Sequence, residues 1–187
     1  MTDPTTLVQE RVDELLAKAD PATTDPVEFR GLQYDMGLAW VHFPEGEGGL
    51  GVAPNAQRLV ESALRKAGAP SPGAGHFFGL TMAGPTVVTH GSPELKARMM
   101  RRMFTGEAAW CQLFSQPGSG SDLAGLACRA VRDGDEWVVN GQKVWNTLAH
   151  IANRGMLVAR TDPDAPKHKG LSYFGVDMHA PGVEVRP

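Results

Sequence analysis

The chain has 187 residues and a net charge of −3 at pH 7, with a pI near 6.1. That length suffices for one generous domain or two small ones with a buried core, and that charge leaves no basic footprint for nucleic acid. No apolar run is long enough to span a bilayer, the first twenty residues read as an amphipathic soluble segment rather than a signal peptide, and Cys111 and Cys128 form neither a CxxC nor a disulfide framework, so a reducing, cytoplasmic setting is expected.

The first half reads as helices. In "LVQERVDELLAKA", Leu7, Val8, Arg11, Val12, Leu15 and Leu16 recur at helical spacing among charged residues. "DPVEFRGLQYDMGLAWV" predicts a second helix over 25–41, with Asp25 as N-cap and Pro26 at its first position. "FPEGEGGLG", Phe43 to Gly51, is too rich in glycine for a helix and reads as a loop. "NAQRLVESALRKAG" predicts a third helix, capped by Asn55 and stopped by Gly68. "HFFGLTMAGPTVVTHG" predicts a buried helix bent or broken at Pro85. "SPELKARMMRRMFTG" predicts one more, from Ser92 as N-cap to Gly106.

From about Ala109 the pattern turns to strands. "LACRAVRDGDEWVVNGQKVWN" holds two turn dipeptides, Asp133-Gly134 and Asn140-Gly141, flanked by β-type runs. "GMLVART", "LSYFGVDM" and "GVEVRP" predict three further strands. Helices followed by strands point to an α+β chain, helical over 1–108 and β over 109–187, rather than to an alternating βαβ fold.

Two stretches invite chemistry. "FSQPGSGSD", Phe114 to Asp122, has neither the Gly-Lys-Ser/Thr ending of a P-loop nor the spacing of a dinucleotide fingerprint. Two readings stand: an ordinary surface turn capped by Asp122, or a cradle aiming backbone N–H groups and the Ser119 and Ser121 hydroxyls at an anion or a polar ring edge. "KVWNT", Lys143 to Thr147, is expected as a strand placing Trp145 and Thr147 on one face. There an indole can stack on a flat ring beside a hydroxyl, or the Trp can pack in a core beside a β-forming Thr. Acid/base, metal and nucleophile patterns are missing. Glu45, Glu47, Asp133, Asp135, Glu136, Asp162 and Asp164 fall in turn-like segments, and no histidine has a metal-ligand partner at close spacing. His150 reads as a surface residue, and no G-x-S-x-G elbow is present.

Together the two stretches say more. "WCQLFSQPGSGSDLAGL", followed after a hairpin by "DEWVVNGQKVWNT", resembles the acyl-CoA dehydrogenase family, whose signature joins a Glu-Pro-x-x-Gly-Ser-Asp loop to a later Asn-Gly-x-Lys-x-Trp block. "FPEGEGGLGVAPNAQRLVESALRKAGAP" and "AGPTVVTHGSPELKARMMRRMFTGE" are similar to its helical N-terminal domain, most of all to actinobacterial members. The resemblance implies a helical domain, a β-barrel-like middle domain and a C-terminal helical bundle, with FAD between the last two. It also implies α,β-dehydrogenation of an acyl-CoA: a glutamate removes the α-proton, hydride passes to flavin N5, and an electron-transferring flavoprotein accepts the electrons. Tetramers are usual in the family.

Carried onto this sequence, the resemblance implies FAD contacts at Gln112, Phe114, Ser115, Ser121, Trp145, Asn146 and Thr147, with Ser121 also meeting the acyl-CoA. Gln116 stands where the signature has Glu, which keeps hydrogen-bonding atoms and removes a charge. The family's catalytic Glu belongs to the C-terminal bundle, so no residue here is expected to be catalytic, and the middle domain is expected to be incomplete and the piece inactive alone. An acyl-CoA oxidase or flavin monooxygenase on the same fold, or a non-catalytic scaffold subunit, are the alternative readings.

Overall fold

The computed structural model describes residues 3–186. The chain divides into two compact units, Met1–Ala108 and Ala109–Pro187.

The first unit is helical, and its helices begin where short polar side chains can satisfy open N–H groups. Helix α1 (Pro4–Lys18) starts with the Asp3 carboxylate accepting from Thr6 N at 3.2 Å, and it buries Val8, Val12 and Leu15 along one stripe. Helix α2 (Pro26–Asp35) starts on Asp25, which accepts from Val27 N and Glu28 N. It stops six residues before the sequence pattern suggests. Gly37 takes a φ of 75°, and the chain turns there, with Gln33 Nε2 donating to Leu38 O at 3.0 Å.

Residues 43–51 form the expected loop. A 3-10 turn, Pro54–Ala56, leads into α3 (Gln57–Lys66), so Asn55 lies inside a turn already begun at Pro54 and caps nothing. The helix ends ahead of Gly68, at φ 82°. The segment around Pro85 is helical from Ala74 to His90 but irregular: a 3-10 turn (Ala74–His76) and a π turn (Gly79–Ala83) precede α4 (Gly84–His90), and the π turn falls just before Pro85, which has no N–H to offer the preceding turn. Helix α5 (Pro93–Thr105) runs from Ser92, whose hydroxyl accepts from Leu95 N, to Gly106 at φ 91°.

Val8, Val12, Leu15, Phe29, Leu38, Val41, Val60 and Leu64 make one core of this unit. Each such side chain contributes about 1.5–3 kcal/mol when fully buried. Tyr34, Trp40, Phe43 and Phe104 make a second, with ring centroids 5.1–6.5 Å apart. No helix among the described residues is long and apolar enough to cross a membrane.

The second unit is a five-stranded sheet. Its strands are β1 (Trp110–Leu113), β2 (Arg129–Asp133), β3 (Glu136–Asn140), β4 (Arg154–Arg160) and β5 (Leu171–Asp177). β4 is the hub. β5 runs antiparallel along its whole length, from Arg154↔Asp177 to Arg160↔Leu171. The other edge of β4 is shared: β1 pairs in parallel from Trp110↔Arg154 to Leu113↔Leu157, and β2 joins at Arg129↔Arg160. β2 and β3 form the expected hairpin, turning on Gly134 and Asp135 with Gly134 at φ 59°. Leu126, Cys128, Ala130, Leu157 and Ala159 form the core beneath.

Two strand expectations fail. After Asn140-Gly141 the chain runs irregularly, so 143–147 is no strand. Residues 183–186 of "GVEVRP" are irregular too: Val183 N turns back to Ala180 O, Val183 and Val185 stay exposed, and no described strand pairs with them. The last residue of that segment lies outside the described residues.

Candidate functional site

The site grows from two connections made by loops around β1 and β4. The first is the turn in "SQPGSGSD". Gln116 and Ser119 exchange backbone hydrogen bonds of 2.9 and 3.0 Å, which leaves Pro117 and Gly118 as the turn between them. Ser119 is buried, and its hydroxyl donates to Asp122 O. Asp122 O also accepts from Gly125 N, and the Asp122 carboxylate accepts from Lys167 Nζ at 2.6 Å. That ammonium holds the Asp122 carboxyl below its ordinary 3.8. Gln116 Oε1 accepts from Cys128 N at 3.1 Å. An oxygen acceptor is all this contact requires, and Gln and Glu both carry one.

Gly118, Gly120 and Ser121 form the exposed crest of this loop. A Cβ added at Gly118 or Gly120 would meet nothing within 4 Å. Nothing in the described chain lies over these two glycines, so the space is open to another molecule.

The second connection ties residues 141–147 to the end of β1. Gly141 lies on Cys128, where a Cβ would come within 2.6 Å of the thiol sulfur. Lys143 Nζ donates to Phe114 O and to Val158 O, both at 2.8 Å, and Val144 N donates to Ser115 O at 2.9 Å. The Val158 carbonyl lies in β4 between the last residue paired with β1 and the residue paired with β2. Lys143 therefore fills the seam where one parallel neighbour ends and the next begins. Burial holds its ammonium pKa below 10.5.

Past Val144 the backbone leaves the extended region. Trp145 has φ 61° and Leu148 φ 67°, a left-handed conformation uncommon for residues with a Cβ. The single bond to Ser115 is all the pairing this segment makes, so Trp145 and Thr147 do not share a strand face as expected. Instead the Trp145 ring is held out into solvent, 91% exposed. This excludes the core reading of that tryptophan within the described residues.

Of the expected site residues, Phe114 and Ser115 are thus joined directly to the segment carrying Trp145, Asn146 and Thr147. Gln112 lies in β1 opposite Met156. Ser121 sits on the exposed crest and makes no hydrogen bond to 143–147 among the described residues. The hydroxyls of Ser115, Ser121 and Thr147 have no partner among the described residues. The Asn146 Oδ1 atom is buried without a partner. Sequence reasoning did not single out Lys143 as an anchor; a lysine among apolar, β-type residues was the available signal.

An exposed indole on an anchored loop, with the Thr147 hydroxyl and the buried Asn146 oxygen beside it in sequence and Ser115 bonded to the same segment through Val144, suits a flat ring with a polar edge. Asp122 is a weakened base, and burial raises the thiols, Cys111 to about 11 and Cys128 upward. No three His, Cys, Asp or Glu side chains could hold a metal among the described residues.

Comparison with known proteins agrees along the chain. Residues 4–107 match the family described as "Acyl-CoA dehydrogenase, N-terminal domain", and residues 111–187 match "Acyl-CoA dehydrogenase, middle domain". Acyl-CoA dehydrogenase FadE34 of Mycobacterium tuberculosis is 48% identical over 153 residues, covering 82% of this chain and 21% of that protein. Acyl-CoA dehydrogenase IpdE1 of the same organism is 42% identical over 151 residues, covering 81% and 39%. Among solved structures, the Tcur3481-Tcur3483 steroid ACAD superposes with a TM-score of 0.65 at 29% identity, over 96% of this chain and 48% of that one. The ChsE4-ChsE5 complex from Mycobacterium tuberculosis gives 0.64 at 30%, over 97% and 48%. The chain spans less than half the length of these relatives. It belongs to the acyl-CoA dehydrogenase family and carries that family's helical N-terminal domain followed by its middle sheet domain.

Proposed function

We propose that these residues form part of an FAD-dependent enzyme that introduces an α,β double bond into an acyl-CoA thioester. The observation that carries this reading is the Trp145 indole, exposed on a backbone tied to Phe114 and Ser115 through Lys143 and Val144. The donor set fits a flavin: an open aromatic face, the free hydroxyls of Ser115 and Thr147, and the unpartnered Asn146 oxygen. Bound FAD would supply the hydride acceptor. Trp145 would cover one face of the ring, Ser115 and Thr147 would bond its polar edge, and Gln112 and Phe114 would border it. Ser121 and the open crest at Gly118 and Gly120 would admit the thioester. The chain's own part is orientation and hydrogen bonding.

The α-proton goes to a base outside this set, since Asp122 is ion-paired and its pKa depressed. We place that base, the electron-transferring flavoprotein contact and the oligomer contacts in the rest of an assembled enzyme. Likeness to chains of the ChsE4-ChsE5 complex supports assembly with further subunits. Likeness to a steroid ACAD supports steroid-derived thioesters as substrates, to be compared with fatty and branched acyl-CoA.

The test is FAD titration of wild type and Trp145→Ala, read by flavin fluorescence, with an acyl-CoA panel and an artificial electron acceptor applied to the full-length protein. Loss of one stacking face should weaken FAD binding about tenfold, from an aromatic contact of about 0.5–1.5 kcal/mol plus lost burial. An unchanged dissociation constant would remove Trp145 from the site. Oxygen consumption with peroxide release, in place of acceptor reduction, would identify an oxidase.

A further inference from the structure

Arg160, the last residue of β4, makes contacts that the reading above does not use. Its backbone N–H donates to Cys128 O at 2.8 Å. Its guanidinium reaches three more carbonyls: Nη2 to Ala124 O at 2.6 Å, Nε to Leu126 O at 3.3 Å and Nη1 to Lys167 O at 3.4 Å. Ala124 and Leu126 follow directly on the Ser121-Asp122 crest, and Lys167 lies in the loop joining β4 to β5. Lys167 returns to the crest through its own ammonium on Asp122, at 2.6 Å. A closed circuit results, running from Arg160 to Lys167, to Asp122, to Ala124 and back to Arg160. Gly170, buried beside it, leaves room for the guanidinium: a Cβ there would come 3.1 Å from Nη1 and also collide with Asp162 O.

The circuit holds the crest only from behind. Gly118, Gly120 and Ser121 are exposed and make no side-chain bond of their own, and the Ser119 hydroxyl is spent internally on Asp122 O. The placement of Ser121 thus depends on how firmly residues 122–126 are held. A guanidinium meets three carbonyls in different directions through its planar fork, which a single ammonium cannot reproduce.

We infer that Arg160 is a positioning residue, fixing the 119–126 segment so that Ser121 and the adjoining backbone face the ligand in one conformation. This rests on the reading of that crest as the thioester contact, and the test separates the two. Hydrogen exchange is measured on the 187-residue chain for wild type, Arg160→Lys, Arg160→Met and Lys167→Met. Peptides over 119–128 should exchange about tenfold faster in both Arg160 variants and about twofold faster in Lys167→Met, with peptides of 1–108 unchanged. Wild-type exchange of 119–128 in Arg160→Lys would overturn the inference even if Arg160→Met fails to fold. In the full-length enzyme, Arg160→Lys should raise KM for acyl-CoA about fivefold with kcat and FAD affinity within about twofold. A fall in kcat at constant KM would also overturn it. Should wild-type full-length protein bind no FAD, the proposed function fails, while the exchange result still decides whether Arg160 orders the loop.

Discussion

Replacing Lys143 by Met tests whether one ammonium closes the seam in the sheet. The substitution keeps most of the stem's volume and removes both 2.8 Å bonds, to Phe114 O and Val158 O. Hydrogen bonds to a charged group contribute about 1.5–3 kcal/mol each, and a carbonyl left unpaired in a buried site costs about 1–3 kcal/mol. Against this stands the cost of taking the ammonium out of water, the same burial that lowers its pKa. Water can reach a half-buried group, so the lower end applies, and the expected loss is about 2–3 kcal/mol. For a unit of this size that lowers the melting temperature by about 10–20 °C. Calorimetry of wild type and variant measures it directly. Lys18→Met is the control: Lys18 is exposed on α1 and among the described residues pairs only with Glu14, so its loss should stay within about 0.5 kcal/mol. If Lys143→Met were as mild as Lys18→Met, the seam would be held by something other than this side chain, and the anchoring of Trp145 would need another explanation.

Two further outcomes follow from the same geometry. Gln116→Glu should leave stability nearly unchanged, because either side chain offers Cys128 N an oxygen, whereas Gln116→Leu strands that N–H and should cost about 1–3 kcal/mol in urea melts. The chain has two tyrosines, Tyr34 in the helical unit and Tyr173 in the sheet unit. Burial pushes both phenols up to about 12. Their folded pKa values exceed the unfolded value near 10, so the stabilisation they reflect is complete below pH 10 and lost as the pH rises toward 12. Ultraviolet titration should show no tyrosinate at pH 10.5 in the folded chain; a half-formed signal there would contradict their burial.

The helices were readable because their ends are local chemistry. Asp25 and Ser92 bond N–H groups two or three residues away, and Gly68 and Gly106 supply the left-handed turn that ends a helix. The overrun of α2 shows the limit: Leu38, Trp40 and Val41 continue an apolar pattern, and the turn at Gly37 depends on where Gln33 finds its acceptor. In the sheet unit, the hairpin at Gly134 was readable for the same local reason. The irregular course of 143–147 was not. Lys143, Val144 and Thr147 have the look of a strand, but what decides their conformation is a pair of carbonyls at Phe114 and Val158, one 29 and the other 15 residues away. The site residues came from a family resemblance between two blocks, and their juxtaposition through Ser115 and Val144 is a tertiary fact that no spacing rule contains.

The left-handed backbone at Trp145 has a consequence for anyone engineering this chain. A side chain with a Cβ in that conformation costs about 1–2 kcal/mol, and glycine occupies it freely at some loss of unfolded-state entropy. With its ring in solvent, Trp145 has little packing to lose. A variant library ranked by thermal survival should therefore enrich Trp145→Gly and discard the indole. Melting temperature and flavin retention would then sort the same library in opposite orders, so a thermostable hit at this position is a warning rather than an improvement.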